Sequence, residues 1–233
     1  MPAKNSRKEY LENGYYHIYN RGVEKRTIFM DEQDYSVFLS YLKAYLSLKD
    51  EENLVKGLAN PKTSLEEKDK ILKLLRLNNF NKEINLIAYC LMPNHFHFLI
   101  KQNHAESIDK FMNSLATRYT MYFNKKHKRV GPLYQNVYKA VLVETDEQLL
   151  HLSRYIHKQA LSNTDHPLQG HALQKVRQPS SYLDYVEKTK TDWIKTEEVL
   201  PFFSKTNPKL SYEAFVKEED YLELIHPLLL EEN

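Results

Sequence analysis

The sequence predicts an α+β fold: a ferredoxin-like antiparallel sheet with helices on one face, plus a C-terminal helical extension. Three observations predict it. Strand-like and helix-like stretches follow one another as strand, helix, hairpin, helix, strand, helix, an order that an antiparallel sheet with packed helices satisfies. Residues 84–102 hold two apolar runs split by Pro93-Asn94, the pattern of a β-hairpin. Ile108, Phe111, Met112, Leu115, Tyr119 and Tyr122 recur on one helical stripe.

In chain order, residues 15–20 read as a strand that ends in the turn Asn20-Arg21-Gly22. Asp31 is placed as an N-cap, and after it Tyr35, Phe38, Leu39, Leu42, Tyr45 and Leu46 keep helical spacing. Residues 51–80 are charged, with Pro61 in the middle and an amphipathic helix over 65–77, so an insertion of about residues 50–81 is expected. Strands over 84–92 and 95–102 follow, then a helix over 107–127 that closes on Lys125-Lys126-His127-Lys128-Arg129. Gly131-Pro132 breaks the chain, residues 137–143 read as a strand, and Thr145-Asp146-Glu147 opens a helix to about residue 161. Small helices are expected over 193–203 and 211–223. The expected division is a main domain over 1–165 and an extension over 166–233.

The chain has 233 residues, 42% hydrophobic and 27% charged, ordinary values for a globular protein. Cys90 is the single cysteine, which excludes an intramolecular disulfide and a cysteine-cluster metal site. Without an 18-residue apolar run or a signal-type N-terminus, a cytoplasmic protein with no membrane partner is expected. Net charge is only +2, but it is unevenly spread. Residues 101–139 carry eight Lys or Arg against two acids, whereas residues 185–233 carry six Lys against eleven acids. The 17 tyrosines cluster in Tyr15-Tyr16-His17-Ile18-Tyr19 and in Arg118-Tyr119-Thr120-Met121-Tyr122-Phe123. Aromatics among cations suit single-stranded nucleic acid, and strand or helix core uses the same residues; composition does not choose between them.

The sharpest chemical feature is Asn94-His95-Phe96-His97. Side chains alternate faces along a strand, so His95 and His97 point the same way and make half of a divalent-metal site. In the helix after the last strand, Tyr155 and Gln159 are four apart and share a face. If both approach a cation on the two histidines, the ligands are two imidazoles and one amide oxygen. Such a set is neutral and leaves Mg²⁺ or Mn²⁺ its full charge for a phosphate. A phenol with a pKa near ~10 is a poor nucleophile at neutral pH. Attack on a metal-polarised phosphate is the chemistry that would make use of it.

Pro93-Asn94-His95-Phe96-His97-Phe98-Leu99 resembles the HUH motif of the single-tyrosine, IS200-like transposases. Tyr16-His17-Ile18-Tyr19-Asn20-Arg21-Gly22 resembles the opening strand of their REP-associated tyrosine transposase branch. Arg118-Tyr119 and Gly131-Pro132-Leu133-Tyr134-Gln135 resemble its helix and following loop, and Arg154-Tyr155-Ile156-His157 its nucleophile segment. Ala160 and Asn136-Val137 stand where that branch usually has Pro and Gly-Arg. The resemblance implies that His95 and His97 bind Mg²⁺ or Mn²⁺, that Gln159 is a third ligand, and that Tyr155 is the nucleophile. It further implies that residues 1–165 are the catalytic domain and that single-stranded DNA with hairpins, at REP-like sequences or element ends, is nicked and rejoined through a 5′-phosphotyrosine. The family includes monomers and homodimers.

Tyr119 and Tyr122 lie on the apolar stripe of a basic helix, where core packing accounts for them. His151 and His157 are expected to be exposed or DNA-facing. Arg21, Arg26, Lys125, Lys126, Lys128 and Arg129 are the candidate phosphate contacts. Two other functions fit part of the pattern: a structured-nucleic-acid-binding protein without cleavage, and a phosphodiesterase that uses water. The second would not need Tyr155, and no carboxylate lies near the histidines in sequence.

Overall fold

Among the described residues, four strands build one antiparallel sheet: β1 (Tyr15–Arg21), β2 (Ile84–Met92), β3 (His95–Gln102) and β4 (Lys139–Val143). Their spatial order is β2-β3-β1-β4, the ferredoxin-like order that the sequence predicts. The computed structural model describes residues 10–162, 178–218 and 222–229. Pro93 and Asn94 make the two-residue turn between β2 and β3. A register shift between Leu86 and Ala88 bends β2.

The crossover from β1 to β2 begins with α1 (Glu32–Leu46), and Asp31 caps it by accepting the Asp34 N–H at 3.0 Å. The crossover from β3 to β4 is α4 (Ser107–Lys126). Both cover the face of β3 that carries Phe96 and Phe98. The Phe38 ring of α1 lies 5.8 Å and 6.2 Å from those two rings and 4.9 Å from Tyr119 of α4. Between α1 and β2 stand α2 (Glu51–Ala59) and α3 (Leu65–Arg76), where the insertion is expected. Ser64 and Glu67 form a reciprocal capping box at the start of α3. Sequence reading assigns α3 but not α2, whose Gly57 and Asn53 weaken a helical pattern.

Helices on one face is corrected by the structure. The two crossover helices do share a face, but α5 (Asp146–Ser162) packs on the opposite one, with Tyr155 edge-on to His97. The reason lies in β2 and β3, which are buried almost continuously. On the second face β2 offers Ala88, Cys90 and Met92, opposite Leu99, His97 and His95. Such a surface has to be covered on both sides.

After α5 the chain returns along the outer edge of β2. Leu91 N–H donates to Pro179, Ser181 N–H to Tyr89 and Lys195 N–H to Leu86. Cys90 and Ser180, then Leu86 and Ile194, form isolated bridges there. Short helices α6 (Tyr182–Tyr185), α7 (Tyr212–Lys217) and α8 (Leu222–Ile225) follow. The expected helix over 193–203 is instead two 3-10 turns, Thr196–Glu198 and Leu200–Phe202, the second with proline at its start. The helix expected over 211–223 stops at Lys217. Tyr182, Tyr185, Trp193, Val199, Tyr212 and Val216 join the same buried cluster as the sheet. No helix among the described residues is long and apolar enough to cross a membrane.

Candidate functional site

The register of β1 against β3 decides what surrounds the histidine pair. Arg21 lies opposite His95, Tyr19 opposite His97, and His17 opposite Leu99. By strand alternation these side chains share one face. The His95 and His97 rings stand 4.9 Å apart and perpendicular. His97 is fully buried. Its Nδ1 meets His17 Nε2 at 2.9 Å, while its Nε2 is buried with no hydrogen-bond partner. The Nδ1 of His95 meets Asn94 Oδ1 at 2.6 Å.

These imidazoles are held neutral. Burial, helped by the Arg21 cation, lowers the His95 pKa to about 4. Burial, followed by His17, His95 and Arg21, holds His97 well below the ordinary value. Burial lowers His17 to about 4, against a raising hydrogen bond to the Leu228 backbone. Neutral imidazole is the form that ligates a cation. A buried ring nitrogen without a hydrogen-bond partner is what a metal ligand leaves behind in a metal-free fold, so the donors present fit a divalent cation. Among the described residues no three His, Cys, Asp or Glu side chains form a ready cage. Among those residues a third protein ligand would be of another type.

α5 brings Tyr155 to this place. Thr145 caps the helix by accepting the Gln148 N–H at 3.1 Å, and Leu149, Leu152 and Ile156 bury its apolar stripe. The half-buried Tyr155 ring meets the His97 ring edge-on, with centroids 5.6 Å apart. Gln159 is half-buried one turn further along the same side of α5. The two tyrosines set aside in the sequence are committed elsewhere. Tyr119 donates to the Ile28 carbonyl at 2.6 Å, and Tyr122 to Asp34 at 3.1 Å.

His151 and His157 require correction. His157 is fully buried, with Nδ1 2.7 Å from Tyr212 Oη and Nε2 2.8 Å from Ser181 Oγ. His151 lies 2.7 Å from Arg154 and packs on Phe215. Both face the returning C-terminal chain, because α5 has to bury two sides, one on the sheet and one on that chain.

The basic candidates separate into groups. Arg21 is half-buried beside the histidines, and its Nε is buried without a hydrogen-bond partner. Arg26, Lys128 and Arg129 line one open cleft with Val23, Glu24, Val130 and Pro132, and Glu24 pairs with Arg26 at 2.8 Å on the exposed surface. Lys125 is exposed outside that lining. Lys126 is not a solvent-facing cation: it binds Asp31 at 2.6 Å and the fully buried Asp34 at 2.8 Å. A carboxylate that deep needs a counter-charge, and Lys126 supplies it. Sequence reasoning missed the contact of His17 with His97. The available signal was alternation, which puts His17, Tyr19 and Arg21 on one face of β1.

No curated protein matches this chain. Two solved structures share 10% and 14% identity with it. A REP-associated tyrosine transposase bound to a REP hairpin covers 82% of this chain and 96% of its own, with a TM-score of 0.44. A candidate transposase from Deinococcus radiodurans R1 covers 67% and 97%, with a TM-score of 0.34. Residues 62–159 match the family model described as "Transposase IS200 like". That stretch holds the hairpin with both histidines, the basic helix, β4, Tyr155 and Gln159, and over it the chain is similar to the IS200-like transposases.

Proposed function

We propose that this protein cleaves and rejoins hairpin-containing single-stranded DNA through a 5′-phosphotyrosine on Tyr155. The observation that carries this reading is the buried, unpartnered His97 Nε2 in a pair of neutral imidazoles, with the Tyr155 ring beside it. The family match over the same residues supports it. His95, His97 and Gln159 would hold Mg²⁺ or Mn²⁺, which would polarise the scissile phosphate and offset charge on the leaving oxygen.

The chain's own groups do the rest. The Tyr155 phenol gives up its proton and its oxygen bonds to phosphorus. The bond to the 3′ oxygen breaks, and that oxygen takes up a proton. The bond energy is kept in the phosphotyrosine, so a 3′-hydroxyl can later reverse the step and join strands. Arg21 sits where it would pair with a phosphate oxygen, and Arg26, Lys128 and Arg129 would hold flanking backbone.

The test is a denaturing gel of full-length protein with Mn²⁺ and 3′-labelled hairpin DNA. A covalent protein–DNA band is expected from wild type and none from Tyr155→Phe. A band from Tyr155→Phe would refute the assigned nucleophile. Hairpin binding with no band from wild type would select the binding-only function instead.

A further inference from the structure

We propose that His17 is a positioning residue for the metal site: it fixes the proton of His97 on Nδ1 and so presents the Nε2 lone pair to the cation. This rests on the metal role proposed above for His95 and His97.

The argument follows a chain of hydrogen bonds whose direction is set at its far end. The carbonyl oxygen of Leu228 can only accept, and His17 Nδ1 lies 2.5 Å from it. That nitrogen therefore carries a proton. A neutral imidazole has one N–H, so His17 Nε2 is bare. Facing it at 2.9 Å is His97 Nδ1, which has to donate. The proton of neutral His97 is thereby used, and its Nε2 is left as a lone pair, buried and without a partner. The opposite arrangement would set two bare nitrogens against each other and bury an unsatisfied N–H.

His95 reaches the same state separately. Asn94 Nδ2 donates to the Lys25 carbonyl at 3.2 Å, which orients the amide and turns Oδ1 toward His95 Nδ1 at 2.6 Å. The His95 proton is then also on Nδ1. Both rings then offer Nε2 as the free donor nitrogen. A ligating histidine is normally oriented by a partner on its other nitrogen. Here that partner is itself a histidine, backed by a carbonyl from the far end of the chain. The His17 and His97 rings are nearly parallel, 18° apart, as a side-by-side N–H···N pair allows.

Two measurements on the metal-free, full-length protein test this. Two-bond ¹H–¹⁵N correlation spectra near neutral pH should show His97 as the Nδ1–H tautomer. Titration with Mn²⁺, without DNA, should show about 10–100-fold weaker binding for His17→Phe, the usual loss when such a partner is removed. His17→Gln, whose amide oxygen can accept at the Nε2 position, should bind almost as wild type does. A wild-type His97 protonated on Nε2 overturns the inference while leaving the proposed function standing, and so does unchanged Mn²⁺ affinity in His17→Phe. If His17→Phe does not fold, the wild-type spectrum and His17→Gln still decide. A wild-type protein that binds no Mn²⁺ would overturn both the proposed site and this inference.

Discussion

A tyrosine hydroxyl is defined by what it touches, and three tyrosines here illustrate the point. Tyr119 is fully buried and gives its proton to a backbone carbonyl, and Tyr122 gives its proton to a buried carboxylate. Tyr155 is half-buried against the imidazole of His97. Tyr119→Phe should therefore leave adduct formation intact and cost about 1–2 kcal/mol in urea unfolding, the worth of a buried hydrogen bond whose acceptor loses its donor. Complete loss of the adduct in Tyr119→Phe with a normal unfolding midpoint would contradict this assignment. The histidine pair was legible because alternation needs no tertiary knowledge. His17 was not, because one histidine among tyrosines on a strand looks like core until the register of β1 with β3 is known.

At the scale of elements, α5 is a wedge with two working sides. One side carries Tyr155, whose ring meets His97. The other is fastened by polar contacts to the returning chain: Ser153 and His157 to Tyr212 Oη, His157 to Ser181, and the nearly buried Arg154 to the Phe215 carbonyl and ring. Burial of His157 lowers its pKa to about 3, so this network holds a neutral imidazole. Tyr212→Phe removes a hydroxyl that serves both His157 and Ser153 and should destabilise the protein by ~1–3 kcal/mol. Calorimetry would measure this, and an unchanged melting temperature would show that the clamp carries no weight. The strand and helix pattern of residues 15–161 was readable because each element has its own period. The C-terminal turns were not, since segments of three to six residues have too little periodicity to detect and depend on the β2 edge for their partners.

For the whole molecule, charge is sorted by use. Arg26, Lys128 and Arg129 share an open cleft, where among the described residues Arg26 has only the exposed Glu24 as an ion-pair partner, whereas Lys126 neutralises Asp31 and the buried Asp34. Their variants should behave differently in hairpin-DNA binding measured against salt. Changing any of the three cleft residues to Gln should lower the magnitude of the log–log salt slope by roughly 0.7, the value for one phosphate contact on a single strand. Lys126→Gln should leave that slope unchanged and lower stability instead. Equal effects on slope from all four would refute the sorting. The linear sequence presents residues 125–129 as one basic run, and only the partners of Lys126 divide it. The cover on β2 has a different kind of consequence. The pairing of Tyr89 with Ser181 joins residues 92 apart. On the ribosome β2 is finished long before that cover is made, and at about 5–20 residues per second the wait is roughly 5–20 s. Through that interval the nascent chain displays an unpaired strand edge, so chaperone demand during translation should peak between synthesis of β2 and emergence of Ser181.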